Sequence, residues 1–163
     1  MSAHPPCCQR GFTLIEILVV ILIISITLGF ALMAFGDFGE HRKIRSAAEG
    51  FSEFAELVHE RALLESSTLR LQLTQSGYSV QRLNPEHKWQ SLQASMYRLH
   101  PLPSKTLVSV ASGSSKIDQL MIIMSATGDM TPFKVYFGSA SQARLASITG
   151  KENGTIFFQK EGM

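Results

Sequence analysis

Residues 10–35 read RGFTLIEILVVILIISITLGFALMAF, and this stretch decides what the rest of the chain can be. From residue 17 to residue 35 it is uncharged and predominantly apolar. At about 1.5 Å per helical residue, that run covers most of a hydrocarbon layer about 30 Å thick. One acid, Glu16, stands at its leading edge, preceded by Gly11, Phe12, Thr13, Leu14 and Ile15. An isolated ionised carboxylate in lipid costs on the order of 2.5 to 3.5 kcal/mol or more, so Glu16 needs a partner or a place near the surface. The nearest partner is the free amine that Phe12 would carry if the chain were cut after Gly11.

Two ordinary readings fit less well. A plain signal anchor leaves the acid unexplained, and a cleaved secretory signal has a shorter apolar region ending in a small-residue site on its far side. The arrangement resembles the type III signal of type IV pilins and type II secretion pseudopilins: Gly11, Phe12, Thr13, Leu14 and Glu16 match in register, and the apolar run follows at once. The resemblance implies that a prepilin peptidase cuts after Gly11 and methylates the new N-terminal Phe12. It further implies a leader peptide over residues 1–11 and a transmembrane, filament-core helix over residues 12–36. Residues 37–163 would then be a periplasmic head that includes the amphipathic half of the helix. Glu16 takes an assembly role, pairing with the amine of a neighbouring subunit's Phe12.

The same likeness puts the N-terminus in the cytoplasm. Charge alone does not, because Arg10 precedes the run while Arg42, Lys43 and Arg45 follow it. The 163 residues, less the anchor, leave room for one small domain. Net charge is +2, and the chain beyond Gly11 is close to neutral, without the basic footprint of a nucleic-acid binder. The only cysteines, Cys7 and Cys8, fall in the leader, have no other ligands nearby, and read as incidental. After cleavage the head would rely on packing alone.

Beyond residue 35, Gly36 and Gly39 sit where helix is least favoured, at about 1 kcal/mol each relative to alanine; they either kink or melt the helix or serve as plain interfacial glycines. A one-sided stripe then begins: Ile44, Ala48, Phe51, Ala55, Val58 and Ala62, widened by Ala47, Phe54 and Leu57, with Glu49, Glu53, Glu56, Glu60 and Arg61 opposite. Past Ser66 the period becomes two. Leu69, Leu71 and Leu73 lead through Ser76-Gly77 to Tyr78 and Val80, which reads as a hairpin. Residues 84–86 open a loop towards Trp89, and residues 97–99 suggest a short strand before Pro101 and Pro103. Further strands are expected around Leu107, Val108 and Val110, over Leu120–Met124 as a fully buried apolar run, over residues 133–138 and 145–148, and over residues 156–158 after a turn at Asn153-Gly154. Residues 112–115 read as a flexible tip. The expected class is α+β, with a long N-terminal helix, apolar all round in its first half and amphipathic in its second, packed on an antiparallel sheet.

The likeness extends past the signal. The hairpin with Gly77-Tyr78, Trp89, the proline near Pro103, the apolar strand, and Gly128 followed by Thr131-Pro132-Phe133 and Gly138 resemble the H-type minor pseudopilins of the type II secretion system, a pilin-like family. Such a protein is a structural subunit at or near the tip of a short periplasmic filament that supports protein export across the outer membrane. Its implied partners are the prepilin peptidase, the major pseudopilin, the other minor pseudopilins, an inner-membrane assembly platform and the membrane itself. Its implied location is the inner membrane, spanned once.

No enzyme constellation emerges, and no cofactor is called for. His4, His41, His59, His87 and His100 are scattered, no serine lies in a nucleophile-elbow pattern, and Asp129 with Thr127 offers too few oxygens for calcium and reads as a turn. The alternative function is a minor type IV pilin of pilus assembly or DNA uptake. DNA contact needs clustered cations, for which Lys134, Arg144 and Lys151 are the candidates in space, while the C-terminus offsets Lys160 with Glu161; nucleic acid is the disfavoured partner.

Overall fold

The computed structural model describes residues 13–91, 94–110 and 118–161. They divide into a unit that ends at Gly39 and a second that begins at Glu40. Helix α1, Leu14–Leu64, contributes to both and is helical through Gly36 and Gly39, so the backbone does not melt there. It opens with the amides of Glu16 and Ile17 bonded to the Thr13 carbonyl, at 3.0 and 3.4 Å.

In the second unit the helical stripe does what its spacing demands. Ile44, Ala48, Phe51, Ala55, Val58 and Ala62 are all fully buried, whereas Glu49, Glu53, Glu56 and Glu60 remain exposed. Leu57, expected to widen the stripe, is instead 49% exposed, because the buried arc stops at Ala47 and Phe54, which are half covered. Hydrophobic burial at about 25 cal/mol per Å2 makes this face a cohesive surface of the second unit.

Two antiparallel sheets meet that face where a single one was expected. The first has the order β3-β2-β1-β6, built from β1 (Leu69–Leu73), β2 (Gly77–Leu83), β3 (Trp89–Ser91) and β6 (Leu120–Met124), with the two-residue β4 (His100–Pro101) also pairing with β2. The second has the order β5-β7-β8-β9, from β5 (Leu107–Val110), β7 (Phe133–Gly138), β8 (Ala146–Gly150) and β9 (Ile156–Lys160). Alternation tells which face a residue takes but not which strand lies next to it; β6 returns to β1 while β5 pairs with β7, and that choice splits the sheet. Phe51 joins both layers to the helix, with ring centroids 5.2 Å from Tyr78 of β2 and 5.7 Å from Phe137 of β7.

Other departures are local. Strand β6 is buried on one face only: Ile122 and Met124 are covered, but Met121 and Ile123 are 45% and 42% exposed. Trp89 starts a strand rather than ending a loop, its ring stacked under the Arg70 guanidinium at 4.3 Å. The strand expected at residues 97–99 is a 3-10 helix over Ser95–Tyr97 followed by β4. Gly77 is required by this crossing, since a Cβ there would lie 2.3 Å from the His100 carbonyl oxygen. The tip expected at residues 112–115 lies outside the described residues.

The outward face of the second sheet follows from register. One cross-strand row is Ser109, Tyr136, Ser147 and Gln159; the next is Lys134, Thr149 and Phe157. Neither row contains an acid.

Candidate processing and assembly segment

The expected cleavage and methylation positions, Gly11 and Phe12, lie outside the described residues. Glu16 is placed in the first turn of α1, solvent-exposed, where the unpaired amides and the macrodipole favour negative charge. It is the only charged residue over Leu14–Ala31, an 18-residue window long and apolar enough to cross a membrane, none of which is buried inside the protein. The two hydroxyls on this stretch are satisfied within the helix. Ser25 donates to the Ile21 carbonyl at 2.8 Å, and Thr27 donates to those of Ile23 and Ile24 at 3.0 and 2.9 Å. A polar group that closes on its own backbone can sit in hydrocarbon without a water partner. The segment therefore presents one carboxylate and an otherwise unbroken apolar surface, which stays dry only in lipid or against other apolar helices.

Among the described residues no three His, Cys, Asp or Glu side chains are placed to hold a metal ion. The described histidines stand apart. His41 Nε2 lies 3.2 Å from Ser141 Oγ, and His59 Nε2 lies 2.8 Å from the Gly128 carbonyl oxygen. His100 stacks on Tyr78, with centroids 5.2 Å apart. Thr127 Oγ1 donates to Asp129 Oδ2 at 2.8 Å inside the turn between β6 and β7, which makes that pair a turn lock. An open groove beside His59 is lined by Glu56, Glu60 and the turn at Gly154 and Thr155.

Two clusters stand out, the first of which escaped sequence reasoning. Glu65, just past α1, accepts from Arg61 Nε at 2.6 Å and from the Tyr97 hydroxyl at 3.2 Å, with Arg82 Nη1 at 3.9 Å. This bond, with the charge of Glu65, pushes the Arg61 guanidinium above its usual value. Burial first, and then the Glu65 charge, pushes the Tyr97 phenol up. The second cluster is cationic: Lys134 and Arg144 both lie over the Tyr136 ring, at 5.5 and 4.4 Å from its centroid, and Lys151 lies over Phe157 at 4.9 Å. The sequence offered these three cations as candidates to cluster in space, and the structure lays two of them over one ring and the third over another.

Comparison with known proteins bears on both ends of the chain. Residues 7–32 match the family described as the prokaryotic N-terminal methylation motif. The type II secretion system protein H of Pseudomonas aeruginosa is 28% identical over 140 residues, covering 78% of this chain and 81% of that protein. The crystal structure of the minor pseudopilin EpsH from the type II secretion system of Vibrio cholerae has a TM-score of 0.61 at 17% identity, over 75% of this chain and 96% of EpsH. The solution structure of Escherichia coli GspH has a TM-score of 0.54 at 15% identity, over 74% and 90%. At these identities the solved structures establish a common pilin-like fold.

Proposed function

We infer that the chain is an H-type minor pseudopilin of the type II secretion system, a structural subunit at or near the tip of the secretion pseudopilus that supports protein export across the outer membrane. The observation that carries this reading is the methylation motif at residues 7–32 running straight into a bare apolar helix, joined to a head with the fold of EpsH. The protein is an assembly part and catalyses nothing itself; the chemistry is done to it. A prepilin peptidase cuts after Gly11, where a missing side chain leaves the bond unhindered, and methylates Phe12. The span stores the subunit in the inner membrane, crossing once, with its N-terminus cytoplasmic and its head periplasmic.

Extraction into the filament then needs a guide. Glu16 pairs with the amine of a neighbouring Phe12, drawing adjacent helices into register. The Coulomb attraction of such a pair is largely offset by taking both charges out of water, so its contribution is alignment more than net stability. Neighbouring apolar helices, from the major pseudopilin and the other minor pseudopilins, replace lipid around α1 as the filament rises from its inner-membrane platform. The relative in Pseudomonas aeruginosa carries a secretion name, which favours export over the pilus alternative.

Intact-mass measurement of the protein from cells that possess the peptidase tests the reading. The expected chain begins at Phe12 and carries one added methyl; a chain beginning at Met1 would sink it. Glu16→Ala should be cut normally yet be recovered poorly in sheared filaments, and normal recovery would remove the alignment role.

A further inference from the structure

The outward face of the second sheet carries a feature that membrane anchoring does not use. Lys134, Arg144 and Lys151 stand on it as three exposed cations, and each is laid over an aromatic ring. None of the three forms an ion pair with a described residue, whereas Arg61, Arg82, Lys88 and Lys105 each do. The two strand rows between them supply uncharged hydrogen-bonding groups, Ser109, Thr149 and Gln159, and one large apolar side chain, Phe157, 45% exposed. A face with positive charge, hydrogen-bonding groups, an apolar centre and no acid in either of these cross-strand rows is complementary to a surface with the opposite charge.

We propose that this face is a docking surface for an acidic protein segment, one that presents carboxylates to Lys134, Arg144 and Lys151 around an apolar side chain set against Phe157. Stacking on the rings favours positions of the cationic heads close to the sheet, which suits carboxylates presented by a folded partner. A lipid surface asks instead for long side chains free to reach headgroups. Single-stranded nucleic acid asks for open aromatic platforms, and here Tyr136 is buried beneath two cations while Phe157 already holds Lys151. The inference rests on the head surface alone and does not require processing at Gly11.

The test uses the full chain in its own cells, with a photo-activated benzophenone side chain at exposed Gln159. The expected result is an adduct with another protein, joined at a peptide containing Asp or Glu. The adduct should disappear in Lys134→Glu/Arg144→Glu/Lys151→Glu and survive in Lys134→Arg/Arg144→Lys/Lys151→Arg. Because reversal could unseat Tyr136, a triple change to Gln, which keeps methylene cover on the rings, is read beside it, and adduct yield is followed as salt is raised. No adduct, an adduct indifferent to charge and salt, a joined peptide without carboxylates, or a lipid or nucleic-acid adduct would each overturn the proposal. The intact mass of the same sample reports separately whether the chain begins at Phe12.

Discussion

Gly154 governs the turn between β8 and β9 through what it lacks. Its backbone has φ +81°, and a Cβ there would lie 2.2 Å from the His59 ring. Since the Gly128 carbonyl can only accept, His59 Nε2 must carry the proton it donates at 2.8 Å, so this one ring ties α1 to the turn before β7 while filling the space beside Gly154. Gly154→Ala should therefore cost about 1–3 kcal/mol in left-handed strain, and more once the ring is displaced and its hydrogen bond lost. In a His59→Ala background the steric part vanishes and only the backbone part remains. Urea unfolding of the four chains should show a non-additive cycle; strictly additive costs would mean that the ring does not sense position 154. The Asn153-Gly154 turn was legible in the sequence from its residue types. The role of His59 was not, because a histidine on the flank of an amphipathic helix looks the same whether it faces water or a loop from a distant part of the chain. At the candidate processing segment, by contrast, residue identity alone marks Glu16 and the apolar span.

Helix α1 was the most legible element because its burial is dictated by its own period. All six residues of the expected stripe are buried, and Phe51 within it meets rings of both sheets. Phe51→Ala should cost about 3–5 kcal/mol, the range for emptying an aromatic site in a packed core. One residue earlier, Gly50 is half exposed, and a Cβ added there meets nothing within 4 Å. Gly50→Ala should therefore stabilise the head by about 0.5–1 kcal/mol through helix propensity alone. Opposite shifts in the urea midpoint from two adjacent substitutions would check the helix face directly; destabilisation by Gly50→Ala would mean that this flank is covered. Strands were less legible than the helix for a physical reason. An apolar strand such as β6 reads as buried on both sides, yet its outer side chains need only the partial cover that Arg70 provides by reaching Met121 Sδ at 3.8 Å. Sheet membership depends on pairing between segments far apart in sequence, which local alternation does not encode.

At the scale of the whole molecule, the head is closed by polar contacts as well as by its core, and these have a pH signature. Glu65 gathers Arg61 from the helix, Arg82 from β2 and Tyr97 from the 3-10 helix, so three separate segments converge on one carboxylate. Tyr97, buried and next to that carboxylate, and Tyr78, half-buried among Phe51, Phe54 and His100, both hold their phenolic protons above the ordinary value of 10.0. A raised folded-state value means that the unfolded chain loses the proton first. The stability these phenols contribute is thus fully present below about pH 10 and is lost as pH rises through their folded-state values. Melting of the full chain in detergent micelles, followed by circular dichroism from about pH 8 to 11, should show a decline that steepens past the ordinary tyrosine value. Tyr97→Phe should lower stability by about 1 kcal/mol at neutral pH, where its hydrogen bond to Glu65 is lost, and should flatten the alkaline decline. Tyr78→Phe should flatten the decline as well, at little neutral-pH cost, since its shift comes from burial alone. If the double phenylalanine variant declined as steeply as the parent, the alkaline sensitivity would belong to other groups, and the ring cluster and the Glu65 junction would have to be treated as ordinary packing.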